Sequence, residues 1–433
     1  MKKSGSFRRN LRLNYFYMFL FSLRFDAAFW VLFLRSRGLG FAAIGLLETV
    51  FHLVSFVSEV PTGFLADRFG RRTSLALGNL AGAVSAMAML FARSEAVIAV
   101  AFCFSALSYT FPSGAHDALV YDTCLSHKKE RDFIRIAGNL NAIWLAGASV
   151  AALAGGWVAE ITLEWLYMLN ILVNLLALIV VWLMDEASVK DGPINGATIA
   201  YGNETRASEA SESRATRVAS IKGAVRSLRE SPQILRLFWL YGLLGAAVTT
   251  AGLYGQAYLR AALIPLPLIG AVFMAQNIFS ILPTKLAFAA QRRFGFRFCL
   301  LGGGLTIGLA IALLGSLPGK NSVILQGFVV ALFLLLDGVR ELLNPIFSNE
   351  INRQIESTER ATVLSFGSMI FSTTMMVIFP LVGLAGDRTG LGLAYLFLGV
   401  ATVAAIAIFS PLLRGLAETG THQADHVETL REA

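Results

Sequence analysis

Long apolar runs, each closed by charges, glycine or proline, alternate along this chain with short polar stretches. A membrane-spanning helix needs about 20 apolar residues. The runs predict spans at 12–34, 41–64, 73–92, 95–119, 134–157, 163–184, 234–259, 267–289, 297–316, 321–346, 361–383 and 391–413. They fall into two sets of six, 1–184 and 232–413, on either side of a segment at 185–231 that is rich in Ser, Ala, Glu and Arg. That segment reads as a flexible linker between two bundles, and 414–433 as a polar tail.

Composition agrees with the pattern. Of 433 residues 56% are hydrophobic and 15% charged, with mean hydropathy +0.64. A soluble domain carries about 25% charged residues, so a water-soluble enzyme is excluded and a multi-pass, all-α membrane protein is expected. The net charge of +8 sits in small clusters between apolar runs instead of along one face or tail, which argues against a nucleic-acid partner. The clusters are the N-terminus (Lys2, Lys3, Arg8, Arg9, Arg12) and the 2–3 loop (Arg68, Arg71, Arg72), then the 4–5 loop (Lys128, Lys129, Arg131, Arg135) and the 8–9 loop (Arg292, Arg293, Arg297). By the positive-inside rule this end faces the cytoplasm, together with both termini and the linker. The triplet Asn203-Glu204-Thr205 in the linker is then a chance match to a glycosylation acceptor. Met1 to Arg12 is basic, and no small-residue cleavage site follows the apolar run behind it, so the first span is expected to remain uncleaved.

Several chemistries find no support. Cys103, Cys124 and Cys299 are far apart and lack any C-x-x-C spacing, which suggests neither disulfides nor a metal site. Phosphate-binding, nucleophile-elbow, zinc and dinucleotide motifs are missing. An enzyme, an ATP-driven pump or a resident cofactor is therefore not expected.

The two halves repeat each other. Ala66-Asp67-Arg68-Phe69-Gly70-Arg71-Arg72 recurs in the second half as Gln291-Arg292-Arg293-Phe294-Gly295-Phe296-Arg297. At nearly the same offset Gly114 to Leu119 recurs as Gly338 to Leu343, and Gly156 to Tyr167 pairs with Gly383 to Tyr395. A similar offset at three places predicts a duplication in one orientation, two pseudo-symmetric six-helix bundles around a central pathway.

Gly63-Phe64-Leu65-Ala66-Asp67-Arg68-Phe69-Gly70-Arg71-Arg72, placed between spans two and three, resembles the loop signature of the major facilitator superfamily, G-x-L-A-D-R-x-G-R-[KR]. The resemblance implies that family's twelve-helix fold and a cytoplasmic gate made of Gly63, Asp67, Arg68, Gly70, Arg71 and Arg72. It further implies that Asp67 faces the N-terminal end of span eleven and that Arg71 pairs with an acid at the foot of span four, for which Asp122 is the candidate. Span five is similar to the antiporter pattern G-x8-G-x3-G-P-x2-G-G through Gly138, Gly147, Ala151, Ala152, Gly155 and Gly156, with Ala-Ala replacing the central Gly-Pro. Thr110 stands where many drug/proton antiporters of the family carry Arg.

Charges inside spans cost about 3 kcal/mol each if they face lipid near the bilayer centre, so Arg24, Asp26, Glu48, Glu59, Asp337, Arg340 and Glu341 are expected to face protein or water. In span two, Glu48, His52 and Glu59 project at about 0, 40 and 20 degrees for ~100 degrees per residue. This one polar face suits a cavity wall, a proton path or interhelical hydrogen bonds. In span one, Arg24 and Asp26 are two apart, so they point in nearly opposite directions and cannot simply neutralise each other. Asp26 is the better proton-carrier candidate, as carboxyls inside membrane helices are; a fixed ion pair of either residue with another helix is the alternative. Asp337, Arg340 and Glu341 lie at i, i+3 and i+4, near enough to form a local cluster. Their pseudo-equivalent is His116 with Asp117, and such a symmetric set suits either an inner gate or static packing. Gln256, Gln276, Asn277, Ser372, Thr373 and Thr374 with Met369, Met375 and Met376 form a mixed polar face that suits a pocket.

The expectation from these residues and the resemblance together is a secondary transporter working by alternating access. Its leading form is proton-coupled export of a small hydrophobic or amphipathic molecule by a monomer in the cell membrane, the inner membrane of a bacterium. Proton-coupled or passive uptake of a small metabolite is the alternative within the class, and a transporter-like sensor or scaffold the alternative outside it.

Overall fold

The structure, a computed structural model, describes residues 6–186, 232–317, 322–355 and 360–412. The expected linker beyond Glu186 and the expected tail, 414–433, lie outside the described residues. The described residues are α-helical apart from their connections and one short 3-10 turn at Glu130–Asp132. In chain order the helices are α1 Phe7–Ser22, α2 Trp30–Ser36, α3 Phe41–Phe69, α4 Arg71–Phe91, α5 Glu95–Thr110, α6 Ala115–Ser126, α7 Phe133–Ile161 and α8 Glu164–Leu183. There follow α9 Pro232–Ala261, α10 Leu266–Phe279, α11 Ile281–Phe294, α12 Phe296–Ser316, α13 Val323–Gln354, α14 Arg360–Thr389 and α15 Leu391–Leu412.

Among the described residues, eleven segments are long and apolar enough to cross a membrane unaided. The twelfth, the first span, is split into α1 and α2 by a turn over residues 23–29, so neither piece qualifies alone. The fourth span is split as α5 and α6, and the eighth as α10 and α11. Several helices overrun the predicted spans because apolar runs mark only the lipid-facing length, whereas the helix continues to its first strong stop. Gly70 at φ +97° ends α3, and Gly295 at φ +77° ends α11. Only glycine takes that conformation without strain, and the two are partners in the sequence repeat.

The repeat extends to side chains. Arg72 donates to the carbonyl of Trp182 at the end of α8, and Arg297 donates to the carbonyl of Ser410 in α15 at 3.3 Å. Each arginine follows its turn glycine by two positions and ties the foot of a third helix to that of a sixth. Tyr167 and Tyr395, also repeat partners, are 2% and 0% exposed.

The chain divides into two compact units, Met1–Arg206 with Leu259–Ile278 and Ala207–Tyr258 with Phe279–Ala433. Small residues set the packing within each, as expected where no hydrophobic drive separates helix from lipid. In the first unit, a Cβ on Gly156 of α7 would stand 2.8 Å from the Leu266 carbonyl, and Gly270 of α10 lies directly on the Ala152 carbonyl. This close approach joins α10 to α7. In the second unit, Gly308 and Gly315 of α12 meet the backbone of α15 around Gly392, Leu396 and Gly399. Tyrosine hydroxyls add fixed points there: Tyr254 donates to the Phe379 carbonyl at 2.8 Å and Tyr395 to that of Ala251 at 2.7 Å.

Candidate translocation site and gate

The break in span one contains neither proline nor glycine. Its backbone is held from outside. The Phe25 N–H donates to Asn170 Oδ1 at 3.0 Å, and the Asn170 amide donates from Nδ2 to Asp26 Oδ1 at 2.7 Å. One buried amide on α8 thus accepts from an N–H of the turn and grips the neighbouring carboxylate. The Phe25 carbonyl lies over Gly155 of α7, where a Cβ would come within 2.7 Å of it. Non-helical backbone at membrane depth is tolerated where protein satisfies it in this way.

The unwound turn overturns one expectation. Arg24 and Asp26 do not point apart: Arg24 Nε lies 3.7 Å from Asp26 Oδ1, because loss of helical geometry removes the opposed directions that residues two apart take on a helix. Their side chains are 29% and 13% exposed. The Arg24 guanidinium also sits 4.6 Å from the centre of the Tyr109 ring. Span four lacks the arginine expected near Thr110, yet a guanidinium reaches that level of α5 from span one.

Glu48 and His52 share one face of α3, with His52 Nε2 3.8 Å from Glu48 Oε2. Phe51 packs edge-on to both His52 and Tyr109, each at 5.6 Å. The polar stripe of α3 therefore adjoins the aromatic ring beneath Arg24. Glu59 lies two turns further along, half-buried.

At the basic end of the first unit, Gly63 and Asp67 fall in the last turns of α3, and Asp67 and Arg68 are exposed. Arg71 Nη1 stands 2.6 Å from Asp122 Oδ2 on α6. The Arg71 N–H, an otherwise unpaired donor in the first turn of α4, donates to Glu186 at 2.6 Å. Asn10 completes the knot, exchanging hydrogen bonds with the backbone of Asp185 (2.9 and 3.0 Å) and donating to Thr123 at 3.1 Å. The end of span six is thereby tied to spans one, three and four. The N-terminal end of span eleven, expected to face Asp67, belongs to the second unit, so that pairing remains a proposal.

The Arg71 to Asp122 pair yields a prediction. Both side chains are about four-fifths buried, so Arg71→Gln and Asp122→Asn each lower thermal stability in detergent, and the double variant loses less than the sum. A coupling energy of about 1 kcal/mol is expected. Strict additivity would show that the two charges act independently.

In the second unit Arg340 stands 2.9 Å from Glu341 Oε1 and 3.8 Å from Asp337 Oδ1, so the expected cluster forms on α13. Its pseudo-equivalent is arranged differently. His116 is 5% exposed and packs on Tyr17 with ring centres 5.2 Å apart, whereas Asp117 is exposed. Gly114 at φ +71° breaks span four just before them, and the restarted helix turns consecutive residues about 100 degrees apart. The mixed polar face of the second half also divides: Gln256, Thr374 and Met375 are buried, and Thr373 is exposed. Of the span-five pattern, Gly147, Ala151, Ala152, Gly155 and Gly156 are buried and Gly138 is open.

Sequence reasoning missed Asn170, Tyr109, Glu186 and Lys285. Asn170 was detectable as a polar residue in an apolar run. Lys285, exposed on α11, stands one position beyond Thr284, the repeat partner of Glu59.

Residues 13–339 match the family profile of the Major Facilitator Superfamily. An uncharacterized MFS-type transporter, YxaM of Bacillus subtilis, is 25% identical over 151 residues, 35% of this chain and 37% of that one. Quinolone resistance protein NorA of Staphylococcus aureus is 28% identical over 159 residues, 34% of this chain and 38% of that one. The chain thus matches little more than a third of the length of either curated relative. Among solved structures, a mutant of the nucleoside transporter NupG superposes with a TM-score of 0.79 at 12% identity, covering 94% of this chain and all of that one. A POT family transporter in complex with a thioalcohol-conjugated peptide gives 0.67 at 14%, covering 94% and 97%. At these identities the structural likeness speaks for the fold alone, and with the profile match over most of its length the chain belongs to the Major Facilitator Superfamily.

Proposed function

We propose that the protein is a secondary transporter that exports a small hydrophobic or amphipathic molecule across the cell membrane in exchange for protons. The two halves, 1–184 and 232–413, act as bundles that alternate access to a midplane site. The observation that carries the reading is the broken first span, where an unwound turn presents a carboxylate, Asp26, beside a guanidinium, Arg24. Discontinuous spans with buried charge are the places where transporters of this architecture bind ions and substrates. Asp26 is the proposed proton carrier, with Glu48 and His52 as its neighbours on the polar stripe and Glu59 at its far end. Arg71 with Asp122, Glu186 and the exposed Asp67 is the proposed cytoplasmic gate, and Asp337, Arg340 and Glu341 its counterpart on the second half. Tyr109 beneath Arg24, with Phe21 and Phe51 packed against its ring, supports an amphipathic substrate, as does the quinolone resistance named for one relative. Proton, substrate and bilayer are the proposed partners of a monomer with both termini in the cytoplasm.

Direction is the part of this reading most open to test. In energised everted membrane vesicles, lipophilic dye cations should accumulate when the chain is present and leak back when the proton gradient is collapsed. Uptake of the same dyes into right-side-out vesicles on energisation would overturn export.

A further inference from the structure

Tyr17, on α1, is 1% exposed and sits among three other buried polar side chains: Asn14 one turn earlier on α1 (1%), Asn79 on α4 (1%) and His116 on α6 (5%). Asn79 Nδ2 donates to the Tyr17 hydroxyl at 3.5 Å and to the Leu75 carbonyl at 2.7 Å, and Asn14 Nδ2 donates to the Asn10 carbonyl at 2.9 Å. Four atoms of this cluster have no partner among the described residues: Asn14 Oδ1, Asn79 Oδ1 and both ring nitrogens of His116. Buried polar atoms are nearly always hydrogen-bonded, so each of these four needs a partner. The set mixes acceptors (the two amide oxygens and one imidazole nitrogen) with donors (the other imidazole nitrogen and the Tyr17 O–H), and it carries no fixed charge. Such a set suits neither an anion nor a metal cation. It suits water, which donates and accepts and makes about three bonds when buried.

The position of the cluster gives it a use. Tyr17 stacks on Phe21 at 5.8 Å, Phe21 meets Tyr109 at 6.4 Å, and Arg24 lies over Tyr109. Two ring contacts and one cation–π contact separate the cluster from Arg24 in the turn that holds Asp26. We propose that Asn14, Tyr17, Asn79 and His116 enclose bound water, and that this water lets the His116 imidazole take up and release a proton during transport. A proton taken at the free ring nitrogen leaves again to water, so the relay consumes nothing. The charged group acting on His116 is Asp117, its neighbour on α6; α1 and α4 face it with the neutral Asn14, Tyr17 and Asn79. The proton role rests on the proton-coupled reading above, whereas the water site does not.

Hydroxyl-radical footprinting of the purified full chain tests the site, because irradiation makes radicals from trapped water and labels side chains that bulk solvent cannot reach. Tyr254 and Tyr395, both 0% exposed with hydroxyls bonded to carbonyls, are dry internal controls. Labelling of Tyr17 at least about fivefold faster than either is expected if water is enclosed; a Tyr17 rate equal to theirs overturns the site. His116→Gln keeps a donor and an acceptor but cannot carry a proton. It should preserve Tyr17 labelling and cut compound-dependent proton flux in liposomes by about tenfold. Unchanged flux in this variant, with the label intact, overturns the relay. Absence of compound-dependent proton flux in the wild-type chain would instead sink the coupling reading and the relay with it, while the labelling result would still decide the water site.

Discussion

Asp26→Asn should leave a folded protein that exchanges its substrate but no longer concentrates it. Asparagine matches aspartate in shape and keeps an oxygen to accept from Asn170 Nδ2, so the turn over 23–29 should persist. The negative charge opposite Arg24 and the group that takes a proton are both removed. Equilibrium exchange, measured as counterflow without a gradient, should stay within about threefold of wild type. Gradient-driven accumulation should fall at least about tenfold, which is ~1.4 kcal/mol of lost coupling. Equal loss of both activities would make Asp26 a structural residue, and retention of both would remove it from the coupling site.

Gly155→Val is expected to be the most damaging single change in the first unit. A Cβ there meets the Phe25 carbonyl at 2.7 Å and the Phe29 ring at 3.2 Å. The first of these is backbone and cannot rotate away. Either α7 retreats from α1, opening the contact at Gly147, or the turn is forced from Asn170. Overpacking of this kind costs about 1–3 kcal/mol, so the thermal midpoint in detergent should drop and gradient-driven transport should be lost. Gly155→Ala should fall between. A valine variant with wild-type stability and transport would show that the turn does not depend on α7.

These effects centre on the feature least legible in the sequence. Apolar runs were enough to place the spans, since the bilayer enforces their length. The loop signature was legible through Gly70, whose left-handed conformation recurs at Gly295. The break in span one was not, because its cause is Asn170, a side chain on α8 far along the chain, and no local breaker announces it. A helix assumed continuous put Arg24 and Asp26 on opposite faces; the unwound turn brings them together. The proposed doublet of His116 and Asp117 is arranged differently from its counterpart for a related reason. The repeat suggested it, but span four breaks at Gly114 and its counterpart, span ten, continues through Gly338. Duplication preserved the turn glycines and the Arg72 and Arg297 ties, where backbone geometry demands them, and let the middle of each half diverge. Glu186 escaped notice because it opens a segment whose composition reads as linker, although its carboxylate caps α4.

In the proposed mechanism, proton movement and compound movement are one process seated at Asp26. The most direct measurement is proton flux into liposomes carrying the purified chain, followed with an internal pH indicator while lipophilic cations, neutral drugs and small metabolites are added one at a time across an imposed pH gradient. The account predicts a proton flux that starts on addition of a transported compound, opposes it in direction and disappears in Asp26→Asn. Compound movement with no accompanying protons, or proton flux that survives in that variant, would contradict it.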